Sequence, residues 1–345
     1  MKVTTQETAR DHLSVASPLL QKDERSHIVE LVRRWGGLTT DALLDPNCQI
    51  FSLPQLEGFI GYQLVRGCAI VYGDPICSPS DVPQLAHAFQ TSYQGQCKNI
   101  IYLMASEKFA QWAIPHLCKA SVEYGEEIFL DPHCDPQERH GTHASLVRRK
   151  VRHAQHEGVS IREYLVHDGK MEQALEQVST AWLQSRRGPQ VHISNVHLFT
   201  DRLGKRWFYA HQEEHIVGVV VLNQVQKYQG WHLNHLMLTP QAPHGTPEFL
   251  ITSVLEALKS ENCSFVSFGV APVDRLGTLV GLTPLSTWMA RHIYHIASKI
   301  FHLKGHKMFW GKFYPQTRPS YLLFHQPSIG LREICALMRA MHVSL

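Results

Sequence analysis

One order of secondary-structure elements can be read twice along this chain, and the repetition limits the folds that it can adopt. Apolar residues spaced three and four apart indicate helices, and alternating or continuous apolar runs indicate strands. In the first half these patterns predict helices at 24–34, 81–93 and 107–120, and strands at 50–53, 58–71 (two strands around a turn), 99–104 and 127–130. In the second half they predict helices at 170–184, 248–259 and 287–301, and strands at 207–210, 216–223, 230–238, 264–270 and 320–324.

Each half therefore reads as a helix, antiparallel strands, and then helix, strand, helix and strand, which is the order of an N-acetyltransferase-type fold. We predict an α/β (α+β) protein with two acetyltransferase-like lobes in tandem, each a mixed, largely antiparallel sheet flanked by helices. The predicted parts are an N-terminal arm at 1–24, a first lobe at 25–165 and a second lobe at 166–345 that carries the catalytic C-terminal segment. A single doubly wound sheet is the alternative.

The bulk composition is that of a folded protein without a strong net charge. Hydrophobic residues make up 44% and the formal charge is only +3, so a polyanion would have to be recognised by local clusters. The eight cysteines form no CxxC pair and the 23 histidines show no metal-ligand spacing, so we expect reduced thiols and no metal. Residues 1–25 lack the apolar core of a signal peptide, and no apolar run is long enough to span a bilayer, so we expect a cytoplasmic protein.

The densest run of positive charge lies near the middle of the chain. It consists of Arg148, Arg149, Lys150, Arg152 and His153. On a helix, Arg149 and His153 share one face, as do Arg148 and Arg152. The run is either a solvated helix surface or a helix that binds phosphates.

The loop at 241–248 leads from a predicted strand into a predicted helix and contains His244 and Gly245. Acetyltransferases hold the coenzyme A pyrophosphate at this place, with a glycine-rich loop that ends at a helix N-terminus. This loop has one glycine and two prolines, and proline removes N–H donors. The composition therefore argues against acetyl-CoA as the acyl donor. The alternative is that the segment is an ordinary loop between a strand and a helix.

Two residues at strand ends are weaker candidates. Asp74 follows Gly73 and is either a structural turn residue or a group that orients a cation or hydroxyl near the site. Ser267 lies in a strand that would border the cleft between donor and acceptor. Its hydroxyl is a candidate hydrogen-bonding group, but a single serine in an apolar strand is common.

Two further segments combine positive charge with aromatic residues. The helix at 287–301 is amphipathic, and its basic and partly aromatic surface either flanks a core face or rests on an anionic membrane. The segment at 305–322 interleaves cations with aromatic residues and ends in a proline-containing turn before a short strand. Such a mixture suits an anionic substrate that has a flat or apolar part.

In this order, these pieces resemble the cytosolic catalytic domain of the phosphatidylglycerol lysyltransferase family, also called multiple peptide resistance factors. The similarity extends from about residue 25 to residue 325. The matching residues are Gly73-Asp74-Pro75, the basic helix around Arg149 and Arg152 up to Gly158, residues 242–246 with Glu248, residues 268–272, Lys304-Gly305, Lys312-Phe313 and Pro319-Ser320-Tyr321-Leu322.

The resemblance implies a tandem acetyltransferase-like fold and the transfer of an aminoacyl group from aminoacyl-tRNA to a lipid hydroxyl. Acceptors in the wider family include phosphatidylglycerol in bacteria and sterols in fungi. Bacterial members carry a multi-span flippase ahead of this domain, which the present sequence does not contain. They also tend to have an acidic residue and an arginine where this chain reads Leu-Asn-His-Leu-Met-Leu at 233–238, which leaves the amino acid and the lipid open.

The resemblance also implies roles for single residues. Because the tRNA ester is already activated, we expect no cofactor, with aminoacyl-tRNA as co-substrate. Lys312 is the expected cation near the ester or the lipid phosphate, and Arg318 and Tyr321 would position the same end. His235 or Glu248 is the candidate proton acceptor. Replacing Lys312 with Ala is expected to abolish transfer and leave the fold intact.

The expected partners are therefore aminoacyl-tRNA, held through the phosphates of its acceptor stem by Arg149 and Arg152, and a lipid acceptor at the bilayer surface. Peripheral attachment to the inner membrane face is compatible with this. Three alternatives stay open at this point: an acetyl-CoA-dependent N-acetyltransferase, a peptidoglycan-type aminoacyltransferase, and a non-enzymatic lipid- or RNA-binding module.

Overall fold

The computed structural model describes residues 22–186, 196–273, 275–301 and 303–343, so nearly all of the predicted arm at 1–24 lies outside the described residues. The helices are α1 Lys22–Trp35, α2 Thr40–Leu43, α3 Val82–Tyr93, α4 Glu107–His116, α5 Thr142–His156, α6 Gly169–Ser185, α7 Thr246–Ser260, α8 Pro284–Ile300, α9 Leu303–Gly311 and α10 Leu331–Ala340. The strands are β1 Gln49–Phe51, β2 Gly58–Val65, β3 Cys68–Tyr72, β4 Ile76–Cys77, β5 Asn99–Ser106, β6 Ala120–Leu130, β7 Val159–Tyr164, β8 Lys205–Gln212, β9 His215–Val225, β10 Gly230–Leu238, β11 Val266–Pro272, β12 Leu279–Val280 and β13 Gln316–Phe324.

The strands form one continuous sheet in the order β1-β2-β3-β5-β13-β6-β11-β10-β9-β8-β7, with β4 beside β2 and β12 beside β6. Two pairs are parallel, β3 with β5 and β10 with β11, and the remaining pairs are antiparallel. Each half thus has antiparallel strands followed by one parallel pair. This confirms the predicted fold class of mixed, largely antiparallel, acetyltransferase-like sheets flanked by helices.

The two halves exchange their last strands at the centre of the sheet. β13 comes from the end of the chain but lies between β5 and β6, and β6 pairs on its other side with β11 of the second half. The last helix, α10, follows β13 and packs into the core of the first half. Because one sheet runs through both halves, the predicted lobe boundary near residue 165 stays a prediction.

Each parallel pair diverges and opens a cleft. β3 and β5 are paired as far as Tyr72 and Leu103, and β10 and β11 only through residues 231–232 and 266–267. β5 and β11 run in opposite directions, so the two clefts open toward each other along the sheet. Both clefts lie level with residues 125–129 of β6.

Helices cover both faces of the sheet, as the alternation of side chains along a strand requires. In the first half, Ile70 packs with α1, α2 and α10, whereas its neighbour Val71 packs with α3 and α4. In the second half, Val220 packs with α5 and α7, whereas Val219 packs with α6. The central strands are therefore buried on both faces.

Three predicted elements differ from the structure, each for a physical reason. The helix predicted at 107–120 ends at His116, just after Pro115, and β6 begins at Ala120. The observed β6 is longer than the predicted 127–130. The prediction was too short because Glu123 and Glu126 interrupt the apolar pattern before residue 127. The proline-containing turn expected before the last strand lies inside β13. Pro319 is tolerated there because β5 begins to pair with β13 only at Ser320, so no strand on that side needs its missing N–H.

Residues 25–165 alone are expected to fold incompletely, because without β13 the facing edges of β5 and β6 are unpaired. The measurement is amide hydrogen exchange of β5 and β6 in this fragment. A matched control carries residues 312–343 on a flexible linker, which restores β13 and α10, and its β5 amides should be protected. Full protection of β5 in the bare fragment would contradict the exchange of strands.

Candidate functional site

A buried ion pair closes the N-terminus of α7. Glu248 is the third residue of this helix, and Lys312 follows α9; the Lys312 Nζ lies 2.5 Å from Glu248 Oε1, and the two side chains are 9% and 6% exposed. The Lys312 ammonium also lies 3.9 Å from the ring centroid of Phe309. Burial lowers the pKa of Lys312, and the hydrogen bond to Glu248 opposes that shift. The structure therefore brings two of the three predicted catalytic residues together.

The loop before α7 is covered by another helix. A Cβ on Gly245 would lie 2.0 Å from the carbonyl oxygen of Lys150, so the backbone of α5 lies directly against the loop. Gly245 also has φ of +96°, which favours glycine. His244 is exposed beside it. The predicted loop residues thus connect α7 to the basic helix α5.

The basic run forms part of α5, as predicted, and its cations are used differently. Arg148 donates to the carbonyl oxygens of Gln137 at 2.5 Å and Arg139 at 2.9 Å, so its guanidinium anchors the preceding loop. Arg149 and Arg152 are exposed and lie on one helical stripe. They remain available to an external anion.

A polar network links the two halves beneath β9 and β10. Asp41 of α2 accepts hydrogen bonds from Asn223 at 2.9 Å and Asn234 at 2.5 Å, and it lies 3.7 Å from the Lys205 ammonium. Burial alone would raise the pKa of Asp41, but Lys205 and other nearby positive groups outweigh it and hold the pKa below its ordinary value. His235, the third predicted catalytic residue, interacts electrostatically with Asp41. It therefore belongs to this network.

His232 belongs to the same network. Burial lowers its pKa to about 4, and the charge of Asp41 offsets only part of that effect. The imidazole is 5% exposed and is therefore neutral at physiological pH.

Arg318 lies at the centre of the sheet, directly opposite Glu127 on β6. Its Nε donates to Glu127 Oε2, and its guanidinium carbon lies 4.5 Å from the ring centroid of Tyr228. Asp74 borders the same cleft, where it accepts from the backbone N–H and the hydroxyl of Ser106 at 2.9 Å and 2.6 Å. Of the predicted binding residues, Asp74 and Arg318 thus share one cavity.

Two predicted binding residues have their side chains within the sheet and its core. Ser267 is fully buried, and its hydroxyl donates to the carbonyl oxygen of Ile128 and accepts from the N–H of Gly269. Tyr321 packs against the core beneath α3 and α4, and burial raises its pKa. These contacts stabilise β11 and β13.

Sequence reasoning did not identify Asp41, Glu127 or Trp35. One signal for Glu127 was present, since Glu126-Glu127 is an acidic pair in the otherwise largely apolar stretch 120–130. Asp41 carries no such signal, because Asn223 and Asn234, which donate to it, are 182 and 193 residues away along the chain. Trp35 lies beside a cavity formed by distant parts of the chain.

The comparisons with known proteins agree with this fold. The family model described as phosphatidylglycerol lysyltransferase, C-terminal, matches residues 30–324. The chain belongs to this family. Among solved structures, the C-terminal domain of a lysylphosphatidylglycerol synthetase from Agrobacterium fabrum, so described in its name as putative, superimposes with a TM-score of 0.74 at 17% identity. The match covers 92% of this chain and 96% of that chain. The L-PGS structure from Bacillus licheniformis has a TM-score of 0.74 at 16% identity, with 91% and 94% coverage.

A curated relative, an uncharacterized protein of Corynebacterium glutamicum, is 24% identical over 341 residues and covers 92% of this chain. The chain spans 40% of the length of that relative.

Within the described ranges, no helix has the length and apolar character needed to cross a bilayer. In the same ranges, no three His, Cys, Asp or Glu side chains are grouped so that they could hold a metal ion.

The burial of Lys312 changes the expectation that its loss would leave the fold intact. Lys312→Ala leaves Glu248 buried without its partner, and breaking such a pair costs about 3–5 kcal/mol. The double variant Lys312→Met/Glu248→Gln removes both charges and should recover most of that loss. Urea unfolding of both variants checks this. Wild-type stability of Lys312→Ala would contradict the buried pair.

Proposed function

We propose that this chain transfers an aminoacyl group from aminoacyl-tRNA to a lipid hydroxyl of the phosphatidylglycerol or sterol type. Membership of the phosphatidylglycerol lysyltransferase family supports the reaction class. The observation that carries the choice of donor is the covered N-terminus of α7. A coenzyme A pyrophosphate needs free N–H groups and open space at this helix end. Here α5 lies against Gly245, and the carboxylate of Glu248 already occupies the first turn.

The reaction needs alignment and charge more than a nucleophilic side chain. The lipid hydroxyl oxygen attacks the ester carbonyl, a new ester bond forms to the lipid, and the bond to the tRNA ribose oxygen breaks. The proton leaves the lipid hydroxyl and ends on that ribose oxygen. Lys312 would supply positive charge toward the developing oxyanion or the lipid phosphate, and His235 or Glu248 would carry the proton. No cofactor takes part in this scheme.

The exposed cations of α5 support a tRNA donor. Arg149 and Arg152 lie on one solvent-facing stripe, and Arg148 holds the helix to the preceding loop. Phosphate contacts of this kind position a nucleic acid and make its binding dependent on salt.

Helix α8 supports a lipid acceptor at a membrane surface. Of its 17 residues only Ser286 is buried, while Leu285 is 71% exposed, Trp288 64% and Ile296 46%. The helix has no acidic residue and carries Arg291 and Lys299, together with two histidines. An exposed apolar stripe with flanking positive charge suits the interface of an anionic bilayer. The chain would then act as a peripheral protein on the cytoplasmic face.

The direct test incubates the full chain with a pool of radiolabelled aminoacyl-tRNAs and total lipid, and then separates the lipids on thin layers. We expect label in the organic phase and no thermal stabilisation by acetyl-CoA. Arg149→Glu/Arg152→Glu should lower transfer at least about tenfold, because it reverses phosphate contacts. The matched charge control is Lys98→Glu/Arg162→Glu, at exposed sites elsewhere. Stabilisation by acetyl-CoA without lipid labelling would favour the acetyltransferase alternative.

The membrane contact is tested separately by sedimentation with vesicles of phosphatidylcholine, with and without phosphatidylglycerol. We expect binding to the anionic vesicles, weakened about tenfold or more by Trp288→Asp, because this change removes an interfacial aromatic residue and adds negative charge. Leu165→Asp is the control, since Leu165 is 78% exposed in a different part of the fold. Equal loss in both variants, or none in Trp288→Asp, would exclude α8 as the membrane surface.

A further inference from the structure

A buried arginine at the junction of the two halves has no role in the scheme above. Arg33, on α1, is 1% exposed, and its Nε donates to the carbonyl oxygen of Leu203 at 2.9 Å. The loop before β8 passes directly over this side chain, since a Cβ on Gly204 would lie 3.0 Å from Arg33 Cδ. Gly204 has φ of +67°, which favours glycine. The first half thus contributes the guanidinium, and the second half covers it.

The guanidinium of Arg33 is only partly hydrogen-bonded. Its Nη1 and Nη2 are buried and have no hydrogen-bond partner among the described residues. The carboxylate of Asp41 lies 3.9 Å from Nη2, beyond hydrogen-bond distance, and accepts from Asn223 and Asn234 instead. Buried donors in native proteins are nearly always satisfied, so we expect a bound water or ion to accept from Arg33.

The charges around Arg33 do not balance. Asp201 accepts two hydrogen bonds from Arg25, at 2.8 Å and 2.7 Å, and Asp41 lies 3.7 Å from the Lys205 ammonium. Among the described residues of this group, three cations are thus set against two carboxylates. Burial lowers the pKa of Arg33, and the charges of Asp41 and Asp201 only partly oppose that shift. Because arginine stays protonated in proteins, one positive charge in this group is left without compensation.

The uncompensated charge decides which kind of molecule fits. A water would accept from Nη1 and Nη2 but would leave the positive charge of Arg33 buried, which is costly in a low-dielectric interior. An anion would satisfy the donors and the charge together. Since one charge is in excess, a monovalent anion balances the group, whereas a divalent anion would reverse its sign.

A cavity of about 290 Å³ borders Arg33 and offers an ion a route of entry. Leu203, which is 52% exposed, lines the same cavity. The carboxylates of Glu30 and Glu57 also border it. Both are exposed, so water screens their charges, and Glu57 is paired with Arg34 at 3.3 Å. They therefore do not supply the charge that Arg33 lacks.

We propose that Arg33 holds a small monovalent anion such as chloride at the junction of the two halves. The ion accepts from Nη1 and Nη2 and balances the group of three cations and two carboxylates. It stabilises the contact between α1 and the loop before β8, because both must be in place to enclose it. The site takes no part in the transfer reaction and is independent of the proposed function.

The first test locates the ion in a crystal of the full chain grown in sodium bromide, because bromide replaces chloride and is identified by its anomalous scattering. We expect an anomalous peak within hydrogen-bond distance of Arg33 Nη1 or Nη2. A water at the guanidinium, or bromide bound only at other places, would overturn the proposal. This measurement uses the unmodified protein, so it decides even where a variant does not fold.

The second test follows thermal unfolding while chloride replaces gluconate at constant ionic strength. We expect the midpoint temperature to rise by about 2 °C or more, because the ion binds only the folded chain. Arg33→Met removes the excess charge and should abolish this rise. The matched control is Arg34→Met, at the next residue of α1, whose side chain is 52% exposed and which should keep it. Equal midpoints in both salts, or an unchanged rise in Arg33→Met, would contradict the proposal.

Discussion

The insertion of β13 between β5 and β6 is the constraint on which the rest of the structure depends. Backbone N–H and C=O groups at the centre of a sheet must be paired, so neither half can complete its central strands without the other. The insertion sets Arg318 opposite Glu127, carries α10 into the first core, and places both clefts at one level of β6. A cavity between the halves follows from this exchange.

Buried charged side chains also depend on partners from distant segments of the chain. Asp41, on α2 of the first half, is compensated by Lys205 and two asparagines of the second half. Lys312 compensates Glu248 at the start of α7. A buried charge is tolerated only with its partner, so each pair favours one arrangement of the segments that carry it. The predicted cations of α5 differ in their availability: Arg148 donates to backbone carbonyl oxygens, whereas Arg149 and Arg152 are exposed.

Local patterns were enough to predict most elements, whereas contacts between distant segments could not be predicted from them. Hydrophobic periodicity and turn residues predicted the hairpin of β2 and β3 and the strand β10, because these signals depend only on neighbours in the chain. They could not show that β13 crosses to the first half, or that Asp41 lies beneath β10. Lys312 and Glu248 came from the resemblance, but their contact depends on how α9 packs against β11. His235 interacts with Asp41, and Lys312 pairs with Glu248; neither contact could be predicted from the sequence.

The most direct test of this account is a crystal structure with a non-hydrolysable mimic of an aminoacylated tRNA end, in which an amide joins the amino acid to the terminal adenosine. We expect the terminal phosphates of the mimic at Arg149 and Arg152 on α5, and the amide carbonyl on the side of the protein where Lys312 pairs with Glu248. A mimic bound away from both α5 and the Lys312–Glu248 pair would contradict the proposed function.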